Sequence, residues 1–165
     1  MSQFDGFYDW LQNTAVSQTV STTPWIIPAL QTLHILAVAS IVSSVFLLNL
    51  RLMGVIGGEQ SPAAVARRFL PFIWWPLPVL LATGSLLISS EPARSLGNPT
   101  FALKIGLLLL AIGTTLIYQR RLRADPNYWE SRGSRRVTVK IIAGLSLALW
   151  TGIVLAGRWI AYTQP

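Results

Sequence analysis

Residues 24–50 read PWIIPALQTLHILAVASIVSSVFLLNL and contain no Asp, Glu, Lys or Arg. At about 1.5 Å of rise per residue, a helix of this length crosses a hydrocarbon core about 30 Å thick. A stretch so long and so free of charge is typical of a segment surrounded by lipid. It predicts a transmembrane helix, and the remainder of the chain is interpreted around it.

Three further apolar stretches, residues 69–89, 101–119 and 137–160, are long enough to span a membrane. Of the 165 residues, 52% are hydrophobic and 12% are charged, which is about half the charged fraction of a soluble domain. The chain has no cysteine, so disulfides and thiolate metal sites are excluded. These features predict an all-α membrane protein, a four-transmembrane-helix bundle that forms a single membrane domain over residues 1–165.

Arginine sets the predicted orientation, because basic loops stay on the cytoplasmic side. The first and third connections carry most of the basic residues: Arg51, Arg67, Arg68, Arg120, Arg121, Arg123, Arg132, Arg135 and Arg136. The other side has Arg94, with Lys104 and Arg158 near span ends. We therefore expect a multi-pass protein of the bacterial inner membrane with both termini periplasmic. The cytoplasmic arginines are expected to hold anionic lipid headgroups, and no nucleic-acid partner is expected.

Residues 1–23 are predicted to form a periplasmic segment that contains a short amphipathic helix at the membrane interface. Its apolar side chains are Phe4, Phe7, Tyr8, Trp10 and Leu11. An aromatic interfacial belt is the favoured interpretation. The alternative is a lid, or a surface that contacts a periplasmic partner.

Small residues recur every four positions in the last span, at Gly144, Ala148, Gly152 and Ala156. In lipid, helices associate through such close backbone contacts, so this stripe predicts packing within the bundle. A homo-oligomer interface, or a docking face for another membrane protein, is the alternative. The second span contains Pro71, Pro76 and Pro78, which predict a kinked segment that can open a pocket.

His34 is the only histidine and lies near the middle of the first span, with Gln31 one turn away. An ionisable residue at this depth is a candidate functional residue. Neutral imidazole ligates haem iron or copper, or hydrogen-bonds a quinone. The competing interpretation is a structural hydrogen bond to a neighbouring helix. With a single histidine, a bis-histidine haem or a histidine-only copper site needs a second copy or a partner.

Lys104 and Arg158 lie about one turn inside the outer ends of their spans, and no acidic residue lies inside any span. Either they extend their charged groups to the interface, or they hold an anionic group such as haem propionates, a lipid phosphate or a substrate carboxylate. The lack of intramembrane carboxylates argues against a self-sufficient proton-coupled pump. No catalytic triad or phosphate-binding motif is present, which favours a non-enzymatic role.

Five segments together carry a family resemblance: LHILAVASIVSSVFLLNLRLMGV, SPAAVARRFLP, ATGSLL, NPTFALKIGLLLL and LALWTGIVLAGRWIAY. From about Pro24 to Tyr162 the chain resembles a family of small, uncharacterised four-helix bacterial inner-membrane proteins. The resemblance implies a histidine at His34, a lysine at Lys104 and a Gly-Arg pair at Gly157 and Arg158. It also implies an acidic residue where this chain has Asn49, so an Asn49–Arg51 interaction cannot be an ion pair. A fainter likeness, around NPTFALK, is to the membrane portion of CopD-type copper-resistance proteins.

Three functions remain open at this point. The favoured one is a small membrane-embedded binding or accessory subunit that packs with itself or a partner and holds a ligand near His34. The second is an electron-transfer protein that binds haem b or a quinone, with His34 as ligand and Gln31, Lys104 and Arg158 around the cofactor. The third is a small transporter or channel.

Overall fold

The computed structural model describes residues 5–56, 59–125, 134–160 and 162, and these residues form helices and no strand. The helices are α1 Asp5–Gln12, α2 Ala15–Thr22, α3 Ile26–Met53, α4 Pro62–Phe69, α5 Pro71–Trp74, α6 Pro76–Ser90, α7 Pro92–Leu96, α8 Pro99–Ala124 and α9 Ser134–Trp159.

Four helical segments are long and apolar enough to cross a membrane: Ile26–Met53, Pro62–Ser90, Pro99–Arg121 and Arg136–Trp159. The predicted all-α fold with four membrane-spanning helices is therefore confirmed. The helical part of the second span starts earlier than residue 69, because Ser61 caps α4. Its hydroxyl accepts a hydrogen bond from the Ala64 amide at 3.2 Å, and Pro62 fills the first helical position.

The two central helices of the bundle are α3 and α9, which pack against each other. On the flanks, α6 packs against α3 and α8 packs against α9. The backbones of α6 and α8 are described throughout, and these two helices make little or no close backbone contact with each other. The gap between the second span (α4 to α6) and α8 is called the seam below.

The second span consists of three consecutive helical segments, and the backbone at their junctions, Leu70 and Trp75, is right-handed helical. The kink expected from its prolines therefore stays a prediction. α4 gives way to α5 at Leu70, and α5 gives way to α6 at Trp75. Pro71, Pro76 and Pro78 have no backbone N–H, so the second span lacks the helical hydrogen bonds that these three positions would donate.

The N-terminal helices lie against one end of the bundle, where α1 contacts α7 and α2 contacts α6. The fully buried Ser17 donates its hydroxyl to the Ser89 carbonyl at 2.6 Å, which fixes α2 to the end of α6. On α1, the rings of Phe7 and Trp10 stack with 5.9 Å between centroids and remain exposed. Phe4 lies outside the described residues. The expected interfacial position of this segment stays a prediction.

The arginine-rich segments meet at the other end of the bundle. Arg67 of α4 and Arg123 of α8 line one cavity, and a Cβ placed on Gly54 would lie 3.8 Å from Nη2 of Arg136. Arg132 and the side chain of Arg135 lie outside the described part. This end is called the arginine-rich end below; which side of the membrane it faces remains a prediction.

A buried polar cluster joins three spans towards the arginine-rich end. Asn49 of α3 is fully buried and accepts a hydrogen bond from the Tyr118 hydroxyl of α8 at 2.8 Å. Its Nδ2 donates to Ser146 Oγ of α9 at 3.2 Å and to the Val45 carbonyl at 2.9 Å. Arg51 is directed elsewhere and donates through Nε to the Gln60 carbonyl at 2.7 Å. Asn49 therefore links spans and does not pair with Arg51.

Candidate functional site

A cavity of about 490 Å³ lies towards the end of the bundle opposite the arginine-rich end. Its walls come from α3, α6, α8 and α9, and its mouth includes residues of α7. Three of the four residues predicted to bind a cofactor line it: Gln31, His34 and Lys104. The fold thus brings together side chains from two different spans that the sequence singles out separately.

Within this cavity, His34 is bonded to the neighbouring α6. Its Nδ1 lies 2.9 Å from Thr83 Oγ1, and the Thr83 hydroxyl lies 2.7 Å from the Val79 carbonyl of its own helix. A hydroxyl has one proton, and the carbonyl accepts it, so Thr83 accepts the proton of His34 Nδ1. This network assigns the neutral tautomer in which Nε2 carries a lone pair.

Nε2 of His34 makes no hydrogen bond with any residue that the structure describes. An imidazole nitrogen of this kind accepts a hydrogen bond from a hydroxyl or binds a metal ion. Gln31, one turn away from His34, lines the same cavity, but the residue bonded to the imidazole is Thr83.

The imidazole of His34 lies beside Gly84 of α6. A Cβ placed on Gly84 would be 3.4 Å from His34 Cε1, which is ordinary van der Waals contact. Thr83 and Gly84 were not among the predicted site residues, although both lie in the ATGSLL segment of the family resemblance. The available signal was a hydroxyl and a glycine adjacent to each other inside an apolar span.

Lys104 of α8 extends along α9. A Cβ placed on Gly157 would lie 3.6 Å from both Cε and Nζ of Lys104, so the lysine chain lies against α9 at this glycine. Lys104 lines the same cavity as His34. At the mouth of the cavity, Arg94 and Glu91 form an ion pair with Nη1 and Oε2 2.7 Å apart. The cavity therefore holds a cation beside an uncharged nitrogen acceptor.

Arg158, the fourth predicted binding residue, does not line this cavity. Its Nη2 donates to the Tyr162 hydroxyl at 3.1 Å, and its guanidinium carbon lies 5.5 Å from the centroid of the Tyr162 ring. The adjacent Gly157 takes the place by the cavity. Of the Gly-Arg pair in the family resemblance, only the glycine therefore lies beside Lys104.

The small residues of the α9 stripe do not all pack against the bundle. A Cβ on Gly152 would meet Leu107 Cδ1 of α8 at 3.3 Å, and Ala156 is buried. By contrast, nothing in the described structure lies within 4 Å of a Cβ on Gly144, and Ala148 is exposed. Half of the stripe is therefore in contact with the bundle, and half faces outward.

Among the described residues, no group of three or more His, Cys, Asp or Glu side chains gathers in a way that could hold a metal ion. A copper site built only from such ligands is therefore not formed in this part of the chain. A metal bound at His34 would need further ligands from a cofactor or from another molecule.

Comparison with known proteins gives one match. No curated protein and no solved structure is significantly similar to the chain. The likeness to copper-resistance membrane proteins has no counterpart among the matches. The sequence model of one family matches residues 7–163, nearly the whole chain and every part of the cavity. The protein therefore belongs to DUF6644, a family of unknown function.

Proposed function

We propose that this protein is a non-enzymatic membrane-embedded binding protein that takes a lipophilic ligand with a polar head into the His34 cavity. One observation supports the proposal above the others. The unprotonated Nε2 of His34 and the ammonium of Lys104, from different spans, line a single cavity of about 490 Å³. If His34 and Lys104 had only separate structural roles, they would not need to line a shared cavity of this size.

The chemistry of the cavity restricts the ligand. Nε2 accepts a hydrogen bond, whereas Lys104 donates hydrogen bonds and carries a positive charge. Much of the remaining wall is apolar and includes the buried side chains of Leu80 and Leu108. A quinol or an acidic lipid, with a hydroxyl and a second oxygen on an apolar body, fits this combination. The seam between α6 and α8 gives such a molecule a path from the bilayer.

The proposal includes a location in the bacterial inner membrane with both termini periplasmic. The meeting of the arginine-rich segments at one end of the bundle supports it. In this orientation the His34 cavity lies in the periplasmic half of the membrane, and ligands reach it from the outer leaflet or through the mouth beside Arg94.

The binding proposal is tested by the molecules that copurify with the protein. The parent and the variants His34→Gln and Lys104→Gln are purified in mild detergent, and bound small molecules are extracted and identified by mass spectrometry. We expect one amphiphile to be enriched in the parent and depleted in both variants. Arg158→Gln is the matched control, since it also removes a cation near the same end but lies outside the cavity. An identical profile in all four proteins would overturn the proposal.

Haem b is the second candidate ligand, and the His34–Thr83 hydrogen bond favours it. Histidines that bind metals commonly donate their other ring nitrogen to an oxygen, as His34 Nδ1 does here. Lys104 would then be available for a propionate. With a single histidine, a bis-histidine haem would need a second copy or a partner. A Soret band in the parent that is lost in His34→Gln would establish haem, and a colourless parent would exclude it.

The outward half of the α9 stripe supports a further part of the proposal, in which the bundle packs against a second copy or another membrane helix. The open space beside Gly144 and the exposed Ala148 permit close backbone approach. Light scattering in detergent gives the mass of the particle. If the parent is a dimer that depends on this face, Gly144→Leu should convert it to a monomer. A parent that is already monomeric would contradict self-association.

A further inference from the structure

A second cavity, of about 650 Å³, lies at the arginine-rich end of the seam. One wall comes from α4, α5 and the residues around them, and the other comes from α8. The lining residues are Arg67, Leu70, Pro71, Trp74, Trp75, Gln119 and Arg123. This cavity is separate from the His34 cavity, with which it shares no lining residue.

The cavity wall on the second span runs from Arg67 to Trp75 and includes Pro71, which has no backbone N–H to donate within the helix. On the opposite wall, Gln119 and Arg123 are four residues apart on α8 and lie on the same helix face. Trp75 has 81% of its surface exposed, as expected for an indole at a membrane interface.

The two arginines of this cavity are not held by other described groups, unlike Arg68 and Arg51. Arg68 lies over the Phe69 ring, and Arg51 donates to the Gln60 carbonyl. Arg67 and Arg123 are exposed and make no hydrogen bond or ion pair with any described residue. No Asp or Glu is among the described residues that line the cavity. Two guanidinium groups from different spans thus border one space without a counter-charge from those residues.

We infer that this cavity binds the headgroup of an anionic phospholipid, with the phosphate between Arg67 and Arg123. Guanidinium groups bind phosphate oxygens through paired hydrogen bonds, and the Gln119 amide can donate another. A lipid fits better than a free anion because Leu70, Trp74 and Trp75 supply apolar surface beside the charges. The bound lipid would bridge the second span and α8, which make little or no close backbone contact with each other.

The test compares two double variants that remove the same charge. Arg67→Gln/Arg123→Gln alters the cavity, whereas Arg68→Gln/Arg120→Gln alters exposed arginines outside it. Each protein is delipidated in detergent and titrated with phosphatidylglycerol, and binding is followed by native mass spectrometry and melting temperature. Hydrogen bonds to charged groups predict about a tenfold loss of affinity for each cavity arginine. The cavity variant should therefore lose binding and lipid-dependent stabilisation, and the other double variant should retain both.

Titrations with other molecules identify the ligand. Zwitterionic phosphatidylcholine should bind the parent about tenfold more weakly than phosphatidylglycerol, since it neutralises its own phosphate. Inorganic phosphate that competes with the lipid and stabilises the parent equally well would identify a site for soluble phosphate and overturn the lipid inference. Equal losses of lipid binding in the two double variants would also overturn it, because they would show that only the total positive charge matters. Melting temperatures without lipid establish that both variants are folded.

Discussion

Nδ1 of His34 in α3 lies 2.9 Å from Oγ1 of Thr83 in α6, and this bond is the polar link between these two spans at the cavity. Because the Thr83 hydroxyl donates to Val79, the link also fixes which imidazole nitrogen carries the proton. Any ligand in the cavity therefore meets a histidine whose acceptor nitrogen is already set.

Thr83→Val keeps the shape of the side chain but removes the acceptor. We expect a loss of about 1 kcal/mol in the free energy of unfolding, the scale of interhelical hydrogen bonds in membranes. Nitrogen-15 NMR of labelled His34 should show a mixture of tautomers in place of one. Thr83→Ser retains the hydroxyl and should behave as the parent. A valine variant with unchanged stability and a single tautomer would refute the assignment.

The Asn49 cluster should be energetically coupled across α3 and α8. Tyr118→Phe removes the donor to Asn49 Oδ1 and should lower stability by about 1 kcal/mol. A double-mutant cycle with Asn49→Leu should give a coupling energy of about 0.6 to 1.7 kcal/mol in detergent unfolding. The control is Thr115→Val, since the buried Thr115 hydroxyl bonds only the Ala111 carbonyl of its own helix among the described groups. Additive effects in the cycle would show that the two side chains act independently.

Gly152→Leu should force α8 and α9 apart. Even the first added carbon would lie 3.3 Å from Leu107 Cδ1, and the rest of the leucine has to displace that side chain. Overpacking of this kind costs about 1 to 3 kcal/mol, which a lower melting temperature in detergent would reveal. Gly106→Leu is the matched control because nothing described lies within 4 Å of its Cβ. If both variants melt alike, the close contact at Gly152 is absent in the membrane.

Membrane orientation is open to a direct labelling test, since the chain has no cysteine of its own. Cysteines introduced at the exposed positions Ala93 and Gln60 lie at opposite ends of the second span. Impermeant thiol reagents added to cells with a permeabilised outer membrane should label Ala93→Cys and leave Gln60→Cys unlabelled. The opposite pattern would reverse the arginine-based orientation.

The number of spans could be predicted because it depends on hydropathy. His34 and Lys104 could be identified as candidate site residues because this depends only on their depth along a single helix. Contacts between helices could not be predicted. Gly157 and Arg158 are adjacent in the sequence but about 100° apart around α9, so only the rotation of that helix decides which one borders Lys104. The same holds for Thr83, whose importance depends on its facing His34. A helix in water has an apolar face and a polar face, and this pattern indicates how the helix is rotated. A helix in lipid is apolar on most sides, so its rotation is harder to infer from the sequence.

The order of the helices has a consequence for biosynthesis. The second span and α8 are made one after the other, but α6 packs against the older α3, and α8 packs against α9, which is made after it. A nascent chain that has just inserted α8 therefore presents Tyr118 without Ser146 and Lys104 without Gly157 beside it. Insertion of α9 between α3 and α8 covers these polar groups in one step. α9 is thus the element that completes the wall of the His34 cavity, to which it contributes Gly157.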